Sequence, residues 1–336
     1  MSYADAMRSR HGGFKAFDNM PAERMKAGRS LRQLFKAQAE GSNSAGGYLA
    51  PVELADEIIR LVNLAGTFRR NATVIEMSSD VMLVPRRTGG LTATVIRENA
   101  EISASSMSWG QVALNAVKRG VLVQISSELN DDQIASAADA LAWEMGHALA
   151  KAEDDAGWNG TGSAADGGVT GVATKIVDGT HTKSAINALS THDTFAEIDN
   201  NDLASLIAAV PEYVLPTASF YVSNFGFASV FARLAGTSGA ADGVDGRRTY
   251  LGFPVELVPS LPQVGTSLVN LPMLYFGDLS LAAILGSRRG VTISTTPNRY
   301  LEYDLLGVKA TSRWDINVHD LGDNTTAGPL VALVGA

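Results

Sequence analysis

The chain has 336 residues, of which 46% are apolar and 18% are charged, and its net charge at neutral pH is −8. It contains no cysteine, which excludes disulfide bonds, thiolate nucleophiles and thiolate metal sites. No apolar run reaches the roughly 18 residues of a membrane span, and the N-terminus lacks a secretory signal. We therefore expect a globular protein of cytoplasmic origin without membrane contact.

The first 40 residues form a basic arm. They carry eight Lys or Arg and four acidic residues, a net charge of +4, which leaves −12 on the rest of the chain. Residues 21–39 are predicted to form a helix, and the sequence GSNSAGG at 41–47 is predicted to be a flexible joint. Such an arm can bind the acidic surface of a neighbouring copy or a nucleic acid, with Arg29 and Arg32 as candidate contacts. A solvated tail is the alternative.

The next segment is predicted to begin with a helix and to continue as β-structure. Pro51 near its start and Gly66 after its end bound the helix. Strand-like runs before a polar stretch and period-2 alternation after it, from Trp109 onward, indicate a long two-stranded excursion over residues 78–116, with a mobile tip. Trp109 lies on this excursion, and we expect its ring to anchor an intermolecular contact or to pack across the hairpin.

Residues 130–156 are the strongest predicted helix, about 40 Å long at 1.5 Å per residue. An apolar stripe runs from Ile134 to Ala152, and Leu141 and Met145 within it are predicted to pack the helix on a sheet. The acidic run at 153–155 is a polar helix end, or it indicates a cationic partner, because the helix dipole is negative there. Beyond it, helices mix with short strands before dense β alternation returns.

No pattern in the sequence indicates catalysis, a cofactor or a metal site. The Gly-rich segment at 160–168 lacks the Lys-Ser/Thr pair of a phosphate-binding loop. Glu144 and His147 have the i, i+3 spacing of di-metal carboxylate bundles, but the required second copy of the motif is missing. We therefore predict no catalytic residue, no cofactor and no metal, and we expect His147 to be a surface residue.

Six segments in order resemble the Hong Kong 97-type major capsid proteins of tailed phages, over roughly residues 41–320. Each segment alone is only moderately specific, and their order and separations make the resemblance strong. The segments are GGYLAPVELADEII at 46–59, TGGLTATVIRENAEISASSMSWGQVAL at 88–114, VLVQISSELNDD at 121–132, LAKAEDDAGWNGTGS at 149–163, YLGFPVELVPSLP at 250–262 and LYFGDLS at 274–280.

This resemblance implies an α+β fold, the Hong Kong 97-type capsid fold, with an N-terminal arm, an extended β-hairpin loop, a peripheral domain with a long spine helix, and an axial domain. The parts would be the arm at 1–47, the first part of the peripheral domain at 48–77, the extended loop at 78–116, the peripheral domain with spine helix 130–156 at 117–195, the axial domain at 196–292, and a return to the peripheral domain with the C-terminal tail at 293–336.

The resemblance also implies a structural protein of the virion and not an enzyme. Such a protein assembles in the host cytoplasm as pentamers and hexamers of an icosahedral shell, and it encloses double-stranded DNA without sequence-specific binding. Because about 45 residues precede the ordered body, we expect scaffolding to be a separate protein or a removed segment, beside a portal and possible decoration proteins. A cellular nanocompartment shell of the same fold and a soluble hydrolase stay open as alternatives.

Some members of this family join their subunits by isopeptide bonds that start from a lysine on the extended loop. No lysine occurs between Lys36 and Lys118, and an arginine cannot replace it because its guanidinium stays protonated. We therefore predict a non-covalent shell. In its loop, Arg97 stands beside Glu98 where the family has a small residue. The candidate inter-subunit residues are Arg86, Arg87, Arg97, Glu98 and Trp109, with Arg29 and Arg32 of the arm.

Overall fold

The computed structural model describes residues 48–49, 66–91, 93, 95, 104–126, 134–234, 248–296, 298–303 and 305–336. The segment from Tyr48 to Ala336 forms one compact unit. The helices predicted at 21–39 and after Pro51, and the tip of the excursion, lie outside the described residues.

Helices and strands mix along the described chain, as the α+β prediction requires. The helices are α1 (Thr67–Asn71), α2 (Ile134–Asn159), α3 (Val172–Ile176), α4 (Asn200–Ala209), α5 (Asn224–Gly226), which continues as a π-helix (Phe227–Ala232), α6 (Leu279–Ala282), and a 3₁₀-helix (Asn298–Tyr303). The strands are β1 (Tyr48–Leu49), β2 (Thr73–Glu76), β3 (Val81–Gly89), β4 (Ser108–Asn115), β5 (Val117–Ser126), β6 (Ala185–Asn187), β7 (Ser219–Val222), β8 (Thr249–Tyr250), β9 (Phe253–Leu257), β10 (Pro272–Gly277), β11 (Ala283–Thr296), β12 (Leu305–Val318) and β13 (Leu330–Val334).

The long helix α2 packs on a five-stranded sheet. The sheet has the order β1-β11-β12-β5, and β2 pairs in parallel with β11. Met145 is 1% exposed and shares an apolar cluster with Val308 and Ala310, and Leu141 packs against the same cluster. These contacts confirm the predicted packing of Leu141 and Met145. Ala152, which the predicted stripe included, is exposed, because it lies on the outward side of the last turns of α2.

A six-stranded sheet forms the second half of the fold, in the order β6-β13-β10-β7-β9-β8. All residues of β10 and β13 are buried. Side chains alternate between the two faces of a strand, so Phe276 of β10 lies in one apolar cluster while Tyr275 lies in another. A strand buried on both faces occupies the middle of a sheet, and that is where β10 and β13 lie.

One apolar cluster joins the two sheets. It contains Tyr275 from the six-stranded sheet, Trp314 from the five-stranded sheet, and Phe68 and Trp158 from α1 and α2. The ring of Trp158 is 5.2 Å from that of Tyr275 and 5.8 Å from that of Phe68, measured between centroids. Gly157 allows this approach, since a Cβ at that position would lie 2.5 Å from the Phe68 ring. The end of α2 is therefore a joint between the two sheets.

One predicted boundary needs correction. Helix α2 ends at Asn159 instead of 156, and its start at 130 lies outside the described residues. The segment predicted as axial, 196–292, contains strands of both sheets, because the chain changes sheets between β10 and β11 through α6. The segment 293–336 likewise contains β12 of the five-stranded sheet and β13 of the six-stranded sheet. The segment from β10 to β11 is apolar almost throughout, so its sequence shows no change of sheet.

Candidate inter-subunit surface of the hairpin

Strands β3 and β4 form a two-stranded antiparallel hairpin with one covered face and one exposed face. Opposite residues in an antiparallel ladder share a face, and the pairs Met82 with Leu114 and Val84 with Val112 face the body. Leu114 is fully buried, against Met77 and Ile284 of its own chain. The other face is open to solvent along its whole described length, as the alternating burial of both strands requires.

The hairpin is tied to the end of β12 by a row of polar contacts. Asp315 accepts a hydrogen bond from the backbone N–H of Asn115 at 2.6 Å, and the Asn317 side chain donates to the carbonyl of Ala113 at 2.9 Å. Burial raises the pKa of Asp315, and the hydrogen bond from Asn115 opposes that shift. The ties follow consecutive outward positions of β12, so the hairpin runs beside this strand.

Arg86 makes the last of these ties. Its guanidinium donates to the carbonyl of His319 and forms an ion pair with Asp320 at 3.1 Å. Beyond it, Arg87 and Trp109 form no hydrogen bond, ion pair or ring contact with the described residues of the body. We call Arg87–Gly89 and Ser108–Trp109 the distal hairpin.

Residues 46–321 match the family model of the phage capsid family. The chain belongs to the phage capsid family. No curated protein matches its sequence.

Solved structures show that this capsid protein has the Hong Kong 97-type fold. One is described as the capsid of an empty GTA particle computed with C5 symmetry; it is 17% identical, with a TM-score of 0.60, and the match covers 88% of this chain and 94% of that one. A chain from Mycobacterium phage Adephagia is 16% identical, with a TM-score of 0.56 and the same coverages. A chain from Microbacterium phage Oxtober96 is 16% identical, with a TM-score of 0.55 and the same coverages.

Within the capsid protein, the predicted contact residues fall into three groups. Arg86 meets a carboxylate of its own chain, Asp320, whereas we expected one from a neighbour. Arg87 and Trp109 lie opposite each other on the exposed face, and Trp109 is 63% exposed. No described ring stacks on Trp109, so packing across the hairpin does not bury it. The remaining predicted contacts, Arg97, Glu98, Arg29 and Arg32, lie outside the described residues.

Further apolar side chains of the hairpin are exposed along its length. Val81 and Leu83 are each 55% exposed, and Leu91 next to the tip is 64% exposed. We call these residues, with Arg87 and Trp109, the hairpin surface. Exposed apolar patches on a folded chain mark sites of interaction, and the planar guanidinium of Arg87 suits a carboxylate partner.

The acidic end of α2 has the cationic partner that its sequence indicated. Glu153, which is 1% exposed, accepts two hydrogen bonds from Arg69, at 2.8 and 2.7 Å. Asp154 accepts hydrogen bonds from the backbone N–H groups of Thr67 and Phe68 at 3.0 and 2.8 Å, and so caps α1. Burial raises the pKa of both carboxyl groups, and these hydrogen bonds oppose the shift. The sequence indicated a cation here but could not identify Arg69, 84 residues away.

Contacts within the chain account for a cluster of possible cation ligands and for His147. His192, Asp199 and Asp202 lie close enough to hold a cation, but the Asp199 side chain caps α4, and Asp202 accepts from His192 at 2.7 Å and from the backbone of Leu189 at 2.8 Å. His147 is exposed, as expected, and stacks on Trp143 with the ring centroids 5.3 Å apart. No helix of the described residues is long and apolar enough to cross a membrane.

A groove of about 540 Å³ lies between α2, β5 and the loop after α2. The guanidinium of Arg119 lies over the ring of Trp314, 3.5 Å from its centroid, and donates to the carbonyl of Asp166 at 2.6 Å. Ala148, Ala152 and Ala156 of α2 form one wall. Arg119 is thus held by its own chain, and the carboxylate of Asp166, which also lines the groove, accepts hydrogen bonds from the backbone N–H and the hydroxyl of Thr161.

Proposed function

We propose that this capsid protein is the shell subunit of a tailed phage. It self-assembles as pentamers and hexamers into an icosahedral shell around double-stranded DNA, in the host cytoplasm, and has no enzymatic activity. The observation that carries the proposal is the hairpin surface. A two-stranded hairpin is marginally stable by itself, and the distal hairpin exposes Trp109, whose ring makes no hydrogen bond or ring contact with the described residues of the body. Neighbouring subunits would supply the missing contacts.

Two further observations support this proposal. The GTA capsid that this chain resembles was described with C5 symmetry, which is an arrangement around a five-fold axis. The net charge of −12 outside the first 40 residues suits a wall around packaged DNA. DNA phosphates are held mainly by Lys and Arg, and an acidic wall would let the DNA move.

The hairpin surface is the proposed contact between subunits, with Trp109 in an apolar site of the neighbour and Arg87 on a carboxylate. We expect Trp109→Ala to leave a folded chain, because the side chain is exposed, and to weaken assembly into shells. Trp143→Ala is the matched control, since Trp143 is 53% exposed on α2. Electron microscopy of both purified proteins across a concentration series measures assembly. Shells of Trp109→Ala at wild-type concentrations would contradict the role of the hairpin.

The proposed shell is held by non-covalent contacts. The hairpin carries no lysine, and the chain has no cysteine. Mature particles boiled in detergent should therefore run as a single band near 35.3 kDa, the mass of one chain. A ladder of pentamer-sized and hexamer-sized bands would show a covalent link that starts from a lysine outside the hairpin, such as Lys118.

The basic arm is proposed to clamp an acidic neighbour, with Arg29 and Arg32 among its contacts. Single surface ion pairs contribute about 0–1 kcal/mol, and repetition across a shell multiplies them. Deleting residues 2–40 should leave folded subunits and make shells dissociate at lower salt than wild type. Equal stability of both shells across a salt series would contradict the clamp.

The proposed partners of the shell are a separate scaffolding protein, a portal and decoration proteins. The alternative function is a nanocompartment of the same fold, which packages protein cargo in place of DNA. The contents of shells purified from the native source distinguish the two: nuclease-protected double-stranded DNA supports the phage capsid, and a co-purified cargo enzyme without DNA supports the nanocompartment.

A further inference from the structure

The last tie of the hairpin lies in a cluster of positively charged groups. Two consecutive carbonyls at the end of β12 each accept from a cation: the Lys175 ammonium donates to Val318, and the Arg86 guanidinium donates to His319. Each cation belongs to a different element, since Arg86 is on β3 and Lys175 on α3. His319 itself carries the second of these carbonyls, and its imidazole lies close to both cations, Arg86 and Lys175.

The inner ring nitrogen of His319, Nδ1, has no hydrogen-bond acceptor that would stabilise a proton on it. Its Nδ1 is shielded from solvent and has no hydrogen-bond partner. Its backbone is fixed, because the N–H groups of His319 and Asp320 both donate to the carbonyl of Ala282, at 2.9 and 3.1 Å. A protonated imidazole would place a buried N–H without an acceptor next to two cations, and both effects are unfavourable.

The charged and titratable groups around His319 favour its neutral form. Burial is the main cause that lowers its pKa, Arg86 and Lys175 lower it further, and Asp320 opposes them. Burial and the positive charge of Arg86 also lower the pKa of Lys175, whereas the negative charge of Asp178 raises it. The groups facing this cluster from the elements packed around it are Arg86, Lys175, Asp178, His181, Tyr213 and Asp320.

We propose that His319 makes the attachment of the hairpin sensitive to pH: protonation of its imidazole releases Arg86 from the end of β12. We call the contacts of Arg86 with His319 and Asp320 the latch. Because the latch is the last tie before the distal hairpin, its release would lengthen the free part of the hairpin. The ties nearer the base, at Asp315 and Asn317, contain no histidine and would hold. Acid would thus change the reach of the hairpin surface without unfolding the body.

The direction of the pH effect follows from linkage. An opened latch returns the imidazole to water, where its pKa is 6.5, whereas the closed latch lowers that pKa. The open form therefore binds the proton more tightly, and acid favours opening. Below about pH 6.5 the ratio of open to closed latch rises up to about tenfold per pH unit. The rise ends when the pH reaches the lowered pKa of the closed form.

Hydrogen exchange measured by mass spectrometry on the full-length unassembled chain tests this proposal. Protection factors, corrected for intrinsic exchange, would be compared between about pH 7.5 and pH 5.5. We expect protection of the segment around Arg86 and Gly110 to fall up to about tenfold on acidification, while β10 and β13 keep theirs. Wild-type protection around Arg86 that does not change with pH would overturn the proposal.

Variants identify the titrating group. His319→Gln should abolish the pH dependence, and Arg86→Gln should lower protection at both pH values. His147→Gln is the control, because His147 is exposed on α2 and should leave the wild-type response. A pH dependence that survives in His319→Gln would overturn the proposal.

If His319→Gln fails to fold, the wild-type protein still decides the matter. The titration of the His319 ring can be followed by NMR with labelled histidine, and we expect a midpoint below 6.5. A midpoint above that value would overturn the proposal. The latch lies within one chain, so these results do not depend on whether the chain builds a shell.

Discussion

The six-stranded sheet and the hairpin both consist of short, mostly antiparallel strands, but they obtain their stability from different sources. Every residue of β10 is buried, and its two faces complete two apolar clusters. In β3, by contrast, five of nine residues are exposed, and polar ties to β12 end at Arg86. One region is thus stabilised by contacts within its own chain, whereas the other exposes a surface that, in the proposed shell, a neighbouring subunit would cover.

The largest effect is expected in the six-stranded sheet, at Phe220. This ring is fully buried and lies 4.5 Å from Phe276 and 5.1 Å from Phe231, measured between ring centroids. Phe220→Ala should lower the free energy of unfolding by about 3–5 kcal/mol. Leu83→Ala on the hairpin, at 55% exposure, should change it by less than about 0.5 kcal/mol. Urea unfolding of both variants measures these changes, and an equal loss in the free energy of unfolding would contradict the difference between the two regions.

A similar but smaller effect is expected at the joint between the two sheets. Glu153→Gln leaves Arg69 without its buried carboxylate, and breaking a buried ion pair in this way costs about 3 kcal/mol. Asp155→Asn, on the more exposed side of the same turn, is the control and should cost less than about 0.5 kcal/mol. Urea unfolding is again the measurement. A variant at Glu153 as stable as its control would mean that the ion pair does not hold α1 on α2.

The sequence predicted those parts of the fold whose pattern is local. Strand-like residues along β3 and alternation along β4 indicated the hairpin, and an apolar stripe indicated how Met145 packs. The change of sheet between β10 and β11 left no such mark, because β10 and β13 are apolar on both faces and carry no period. Burial on both faces is a property of the neighbours of a strand, which its own residues do not encode.

The contact residues were predicted less well than the fold. A planar guanidinium suits any carboxylate, so the sequence could not show that Arg86 meets Asp320 of its own chain. The same limit applied to Glu153, where the dipole argument indicated a cation without naming Arg69. The exposure of Trp109 was easier to predict, because a large apolar ring on a protruding hairpin has few places to be buried in one chain, and its contact with a neighbour stays a prediction.

The smallest expected effect is a difference in how the stability of the two regions depends on pH. His192, beside the edge strand β6, donates a hydrogen bond to the carboxylate of Asp202 at 2.7 Å, and this hydrogen bond is the main cause that raises its pKa. The folded state therefore binds this proton more tightly than the unfolded state, and His192 contributes stability below about pH 6.5 that is lost as the pH rises through the raised pKa. Acid should thus stabilise this region while it opens the latch at His319.

His192→Asn checks this last expectation. Urea midpoints at about pH 5.5 and pH 7.5 should show a smaller gain on acidification in the variant than in wild type. An unchanged gain would assign the pH dependence to other groups and leave the two regions alike in this respect.

The central claim is that the distal hairpin is completed by a neighbouring subunit. Hydrogen exchange of residues 104–109 in unassembled chains and in purified shells tests it most directly. We expect low protection in unassembled chains and strong protection in shells, with β10 and β13 protected in both. Equal protection of residues 104–109 in the two states would contradict the claim, because it would mean that a single chain already completes the hairpin.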